Sequence, residues 1–129
     1  MKINTFSIWL LSLTISICVI ILIGGYTRIS DSGLSITEWL PITGVMYPLN
    51  DMQWQLEFNK YQKIDEFMLV NSAMTLNEFK FIYFWEWFHR FFARLVGIIY
   101  LVPLFFLLIK NKIHRNYLRR IFLVGFLLG

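Results

Sequence analysis

Residues 76–110 read LNEFKFIYFWEWFHRFFARLVGIIYLVPLFFLLIK, and this stretch decides the fold. Pro103 is its only helix breaker, with Gly97 a milder weak point, and a membrane helix tolerates both when neighbouring helices accommodate them. Thr75-Leu76-Asn77-Glu78 has the capping-box spacing that opens a helix. A helix from Leu76 to Lys110 would be about 50 Å long, well beyond a hydrocarbon core of about 30 Å. Counting back about 30 Å from the basic anchor at Lys110 reaches Arg90. The second half, Phe91–Ile109, is therefore expected to span a bilayer, with Glu86, His89 and Arg90 near its far interface.

Upstream, Phe6–Gly25 forms another apolar run, interrupted only by Ser, Thr and Cys18. It is too long for the apolar part of a cleaved signal peptide, and Gly24-Gly25-Tyr26-Thr27-Arg28 is a poor cleavage site. It reads as a retained transmembrane helix. Composition agrees: 57% of the 129 residues are hydrophobic, 19% aromatic and 16% charged, where a soluble domain has about a quarter charged. Cys18 has no cysteine to pair with and reads as a small apolar group.

Every acidic residue lies between Asp31 and Glu86, whereas Lys110, Lys112, Arg115, Arg119 and Arg120 crowd one short stretch. Apolar runs flank that stretch on both sides, so it is expected to be a cytoplasmic loop of about residues 110–120 and not a nucleic-acid patch. The amino terminus is then cytoplasmic and the region 26–90 external. A third apolar run, 121–129, is too short to cross a membrane. The expected architecture is an all-α integral membrane protein: the amino-terminal part of a helical bundle, with two full spans (about 6–25, and the second within about 76–110) and the start of a third at 121–129.

The external segment of about 26–75 holds two of the three prolines, Pro41 and Pro48. Ser35-Ile36-Thr37-Glu38 has a second capping-box spacing, which predicts a short helix before Pro41. From Met52 to Lys63, Trp54, Phe58 and Tyr61 recur at i, i+4 and i+7, while Gln53, Glu57 and Lys60 take other faces. That is an amphipathic helix with an Asn50 or Asp51 cap, suited to pack on the protein or to lie at lipid headgroups.

Chemistry concentrates in Glu86-Trp87-Phe88-His89-Arg90. On a helix Glu86, His89 and Arg90 share a face, and Arg94 continues it one turn deeper. Ionisable groups at that depth must pair, bind a cofactor or meet water. One reading is a snorkelling network in which Glu86 and Arg90 form an ion pair and His89 is an interfacial aromatic. The other takes His89 as an axial ligand of haem iron, with Arg90 and Arg94 holding anionic propionates. A CxxCH is absent, which excludes covalent c-type haem, and so is an HExxH or Cys/His array for zinc. His114 reads as a solvated loop residue.

The run Gly24-Gly25-Tyr26-Thr27-Arg28-Ile29-Ser30-Asp31-Ser32-Gly33-Leu34-Ser35-Ile36 resembles the stretch that follows the first helix of haem A synthases. Trp39-Leu40-Pro41-Ile42-Thr43-Gly44, Pro48-Leu49-Asn50, Trp54, Phe58, Tyr61, Asn71, Met74-Thr75-Leu76 and Glu78-Phe79-Lys80 continue the series in order. It ends in Glu86–Arg90 and Arg94-Leu95-Val96-Gly97, and is most similar to the proteobacterial and mitochondrial branch, which lacks an external cysteine pair. Tyr47 and Ala93 are small departures, standing where proline and glycine are common.

The resemblance implies an eight-helix enzyme of the bacterial inner membrane, built of two four-helix halves. It would oxidise the C8 methyl group of its substrate haem O to the formyl group of haem A, carry haem b, and work beside haem O synthase and cytochrome c oxidase assembly factors. His89 would be the first of four haem-ligating histidines, with metal ligation to haem iron, and Glu86 a catalytic carboxylate. The other histidines are absent and His114 lies across the membrane. The chain is thus expected to need a missing carboxy-terminal half, or its own oligomer, to be an enzyme. A non-catalytic haem-binding membrane subunit and a truncated, non-functional remnant are the alternatives.

Overall fold

The computed structural model describes residues 5–40 and 42–110, together with residues 120, 121, 123 and 125. Lys112, His114, Arg115 and Arg119 lie outside the described residues, as does most of the expected third run. Among the described residues the fold is all helical. Helix α1 is Thr5–Ile29, α2 Asp51–Tyr61, α3 Asp65–Leu69 and α4 Leu76–Ile109, with one short 3-10 turn at Thr43–Val45. Helices α1 and α4 are both long and apolar enough to cross a membrane. They run antiparallel, since Trp9 meets Ile99 and Tyr100 while Tyr26 meets Trp85. Much of their surface is bare apolar side chain, as at Leu11, Ile15, Ile21 and Leu22 on α1 and Ile98, Leu101, Phe105 and Phe106 on α4. In water such a surface would be costly, whereas lipid accepts it.

Helix α4 begins at the capping box that its sequence indicates. The Thr75 hydroxyl accepts from the Glu78 backbone N–H, and the Glu78 carboxylate accepts from the Thr75 N–H at 2.8 Å. Pro103 sits inside the helix without breaking it. Its ring nitrogen has no hydrogen to give to the carbonyl four residues back, which is Ile99. The Trp9 indole supplies the missing donor from α1, with Nε1 donating to Ile99 O at 2.8 Å. One bond therefore satisfies a freed carbonyl and a buried indole together, and it stitches α1 to α4.

Helix α1 stops in a Schellman turn. Asp31 takes φ 50° at the position after the cap, the Ser32 N–H donates to Thr27 O at 2.9 Å, and the Asp31 N–H to Arg28 O at 3.4 Å. Glycine usually fills that left-handed position, and Asp is among the few residues that tolerate it.

The periodicity of residues 52–63 reports the packing of this helix well. Asn50 caps α2 by accepting from the Gln53 N–H at 2.9 Å. Trp54, Phe58 and Tyr61 are buried, and they pack on Phe79, Ile82 and Tyr83 of α4. Of the two placements open to this helix, the protein surface is the one taken. The Tyr61 hydroxyl accepts from Asn71 Nδ2 at 2.9 Å, and burial pushes its phenol above the ordinary value. Tyr47 adds edge contacts to Trp54 and Tyr83, which ties the loop into the same cluster.

The short helix expected after Ser35 does not form; residues 35–40 are irregular. Ser35 gives its hydroxyl hydrogen to Glu86 and does not cap, while Glu38 pairs with Lys60 of α2 and does not reach back to Ser35. Both halves of the box have stronger partners elsewhere in the fold, and a local pattern yields to them.

Trp9→Phe keeps the ring and removes the donor to Ile99 O. It is expected to destabilise the folded chain by about 1 kcal/mol, read as a lowered unfolding midpoint in detergent. Pro103→Ala restores the donor within α4, so in that background Trp9→Phe should cost little.

Candidate functional site

Among the described residues Glu86 is the buried charged side chain, with 4% of its surface exposed. A carboxylate in such surroundings needs donors for both oxygens. Its Oε2 accepts from the Ser35 hydroxyl and from the Ile36 backbone N–H, each at 2.7 Å. Its Oε1 pairs with Arg90, one turn along α4. Arg90 then reaches over the loop, with Nη2 donating to Ile36 O and Nη1 to Glu38 O, both at 3.1 Å. Arg94 extends the row, donating from Nη2 to Leu40 O at 3.0 Å. Trp87 adds its indole N–H to Val45 O at 3.0 Å. One stripe of α4 thus holds the loop by its backbone, residue after residue.

The loop answers with small polar residues that leave room for the carboxylate. Ser32 and Ser35 are buried, Ser30 and Ser32 share a hydroxyl contact at 2.7 Å, and Ser35 also approaches Ser32 O. Outside this shell, Lys60 bridges Glu57 at 2.9 Å and Glu38 at 3.1 Å. The hydrogen bond to Glu57 in particular holds its ammonium above the ordinary lysine value.

His89 behaves differently. Three residues turn a helix about 60° short of a full circle, enough here to give Glu86 and His89 different neighbours. Glu86 looks to the loop, while His89 looks to α1. A Cβ built on Gly24 would lie 3.1 Å from His89 Nε2, so the imidazole rests directly on the bare backbone of α1. The ring is half-buried, and among the described residues neither of its nitrogens has a hydrogen-bond partner. The possible bond between Glu86 and His89 is not made.

The four sequence-predicted residues therefore fall into two groups. Glu86, Arg90 and Arg94 form one unit bound to the loop, which matches the ion-pair reading of Glu86 and Arg90. The two guanidinium groups donate to loop carbonyls, so any propionate would compete with those acceptors. His89 stands apart as a half-buried imidazole with no polar partner. Its chemistry fits a single axial ligand to haem iron. Among the described residues no group of three or more His, Cys, Asp or Glu comes together, so the donors present do not suit a bare metal ion. Reading the sequence missed Ser35, Ile36 and Gly24 as site-builders. The one available signal was the density of glycine, serine and threonine in Gly24–Ile36, which marks a segment that packs by its backbone.

A profile of the family described as cytochrome oxidase assembly protein matches residues 7–129. The chain is 48% identical over 128 residues to a haem A synthase of Maricaulis maris, covering 99% of this chain and 37% of that protein. It is 47% identical over 125 residues to a haem A synthase of Rhizobium rhizogenes, covering 95% and 34%. A haem A synthase of Parvibaculum lavamentivorans is 42% identical over 121 residues, covering 94% and 35%. The chain spans about a third of the length of these curated relatives. No solved structure matches it.

Glu86→Ala removes the counter-charge of Arg90 and leaves the Ile36 N–H without its acceptor. Breaking a buried pair from one side costs about 3–5 kcal/mol, whereas Ser35→Ala removes a single hydrogen bond for about 1 kcal/mol. Limited proteolysis of residues 31–47 should follow that order, with Glu86→Ala cut much faster than Ser35→Ala. Equal cutting of the two variants would show that the carboxylate does not anchor the loop.

Proposed function

Since the chain belongs to the cytochrome oxidase assembly protein family, we propose that it forms the amino-terminal part of a haem A synthase. The whole protein would oxidise the C8 methyl group of haem O to the formyl group of haem A, for assembly into cytochrome c oxidase. The observation that carries this reading is the match to haem A synthases over nearly the whole chain, which runs through both the loop and the α4 stripe that build the site. The activity belongs to a protein about three times this length, in which further helices would complete the bundle.

The chemistry sets demands that the residues here can meet in part. Converting a methyl to a formyl group takes two hydroxylations, each adding oxygen from water and releasing two electrons and two protons, after which the geminal diol loses water. The electrons must leave to an acceptor outside this chain. Haem b, when bound, supplies a one-electron redox centre, and His89 is the residue that would hold its iron. No hydrogen bond within the described residues competes for the imidazole nitrogens, of which Nε2 lies against Gly24 in this structure. The ring's partial burial between α1 and α4 keeps bulk water from the ligand.

Glu86 is assigned a positioning role ahead of a direct catalytic one. A carboxylate that takes or gives a proton, or that steadies positive charge at an oxidised methyl, needs a lone pair aimed at the reacting atom. Oε2 is filled by Ser35 and Ile36, and Oε1 is directed to Arg90. Glu86 therefore acts by holding residues 31–47 against α4, which fixes the outer wall near His89. We further propose an inner-membrane protein of bacteria with α1 starting in the cytoplasm. The basic residues after α4 would then be cytoplasmic and the loop and α2 periplasmic.

The test is a chimera in which residues 1–129 replace the first third of the Maricaulis maris haem A synthase. In a host that makes haem O but not haem A, the chimera should produce haem A, measured by mass spectrometry of extracted haems. His89→Ala in the chimera should abolish haem A and lower bound haem b. A chimera that accumulates in the membrane yet leaves only haem O overturns the proposal. Glu86→Gln keeps a carbonyl for Ser35 and Ile36, so it should retain part of the activity. Complete loss of haem A with haem b content and stability unchanged would instead assign Glu86 to the chemical step.

A further inference from the structure

We propose that Gly24 is a positioning residue for His89, the bare backbone on which the imidazole edge is seated and its orientation set. The inference rests on the reading of His89 as a haem ligand. A ligating histidine is normally oriented by a hydrogen bond from its other ring nitrogen. Among the described residues His89 has no such bond, so packing must do that work. The ring presents Nε2, Cδ2 and Cε1 to the space above Gly24, at 3.1, 3.6 and 3.7 Å from where a Cβ would stand. A methyl group at that position meets the ring closer than ordinary van der Waals contact, so the ring must move by a few tenths of an ångström.

The helices have little freedom to separate and absorb the added group. On one side of Gly24, Tyr26 packs on Trp85 with ring centroids 4.2 Å apart. On the other, the Trp9 indole is bonded to Ile99 O. These two contacts pin α1 to α4 outward and inward of the glycine, and the strain of a larger residue then falls on the imidazole. Gly25 gives an internal comparison, because a Cβ there meets nothing within 4 Å. Alanine is favoured over glycine inside a helix to the same degree at either position, so any difference between the two substitutions reports the neighbour and not the backbone.

The experiment is a double-mutant cycle on the full 129-residue chain in detergent, read by its unfolding midpoint. Gly25→Ala should raise the midpoint. Gly24→Ala should lower it, by on the order of 4 °C relative to Gly25→Ala. His89→Ala removes the ring, so in that background Gly24→Ala should become as favourable as Gly25→Ala. If Gly24→Ala fails to accumulate, its recovery by His89→Ala gives the same answer. Equal behaviour of the two alanines beside an intact His89 overturns the contact. The second measurement is the electron paramagnetic resonance of the low-spin haem in the chimera. Gly24→Ala should shift its highest g value and Gly25→Ala should not, and an unshifted signal despite coupling in the cycle overturns the positioning role. Haem retained unchanged in His89→Ala would instead defeat the ligand assignment, and leave the seating of the ring on Gly24 standing.

Discussion

A carboxylate placed among aromatic and aliphatic side chains constrains everything around it. Glu86 cannot stay charged in that setting unless donors reach both oxygens, and α4 supplies only one of them, Arg90. The other donors come from residues about fifty positions earlier in the chain, Ser35 and Ile36. Satisfying Glu86 therefore requires the segment after α1 to turn back and lie along α4. Once it does so, Arg90 and Arg94 find carbonyls at Ile36, Glu38 and Leu40, and Trp87 finds Val45. Removing the carboxylate would leave Arg90 without its counter-charge and the partly buried Ile36 N–H without its acceptor. Among its described residues, the loop has one short 3-10 turn of its own to fall back on, at Thr43–Val45.

The other half of the molecule works on a different principle. Where α1 and α4 face one another, apolar packing gains little over contact with lipid, so association depends on close fit and on a few interhelical bonds. Pro103 creates such a bond by leaving the Ile99 carbonyl without its donor, and Trp9 fills the gap. The hydroxyls of Thr14, Ser16 and Thr27 are returned to carbonyls of their own helix, at Leu10, Ser12 and Gly24. They are therefore not spent between helices, which leaves shape to fix the register. Gly24 under His89 and Tyr26 against Trp85 supply that shape one turn apart.

Much of this was legible in the residues alone, for identifiable reasons. Local, periodic signals read correctly: the Thr75 capping box, the i, i+4, i+7 aromatics of α2, and the tolerance of α4 for Pro103. Each depends on neighbours within a few positions. Ser35-Ile36-Thr37-Glu38 misled for the complementary reason. Its spacing is local, but its partners, Glu86 and Lys60, lie far along the chain and win the competition. Placing Glu86, His89 and Arg90 on one face was right to within a helical turn. That angle was too coarse to show that the carboxylate and the imidazole answer to different neighbours. The Gly24 contact left no local trace, since a glycine needed for close approach looks the same in sequence as any other.

The split between Glu86 and His89 bears on how such a site can work. An acid and an imidazole one turn apart invite a picture in which the pair handles protons together. Here the carboxylate is held by the loop and by Arg90, and among the described residues the imidazole has no hydrogen-bond partner, so the two make no direct bond to each other. Their coupling runs through the backbone of α4. Glu86 fixes the loop and Arg90, while His89, one turn further along, is fixed by α1. A disturbance of the loop would reach the imidazole only by shifting α4 against α1, and the Trp9 and Tyr26 contacts resist that shift. The arrangement separates the imidazole from the charged groups that hold the loop.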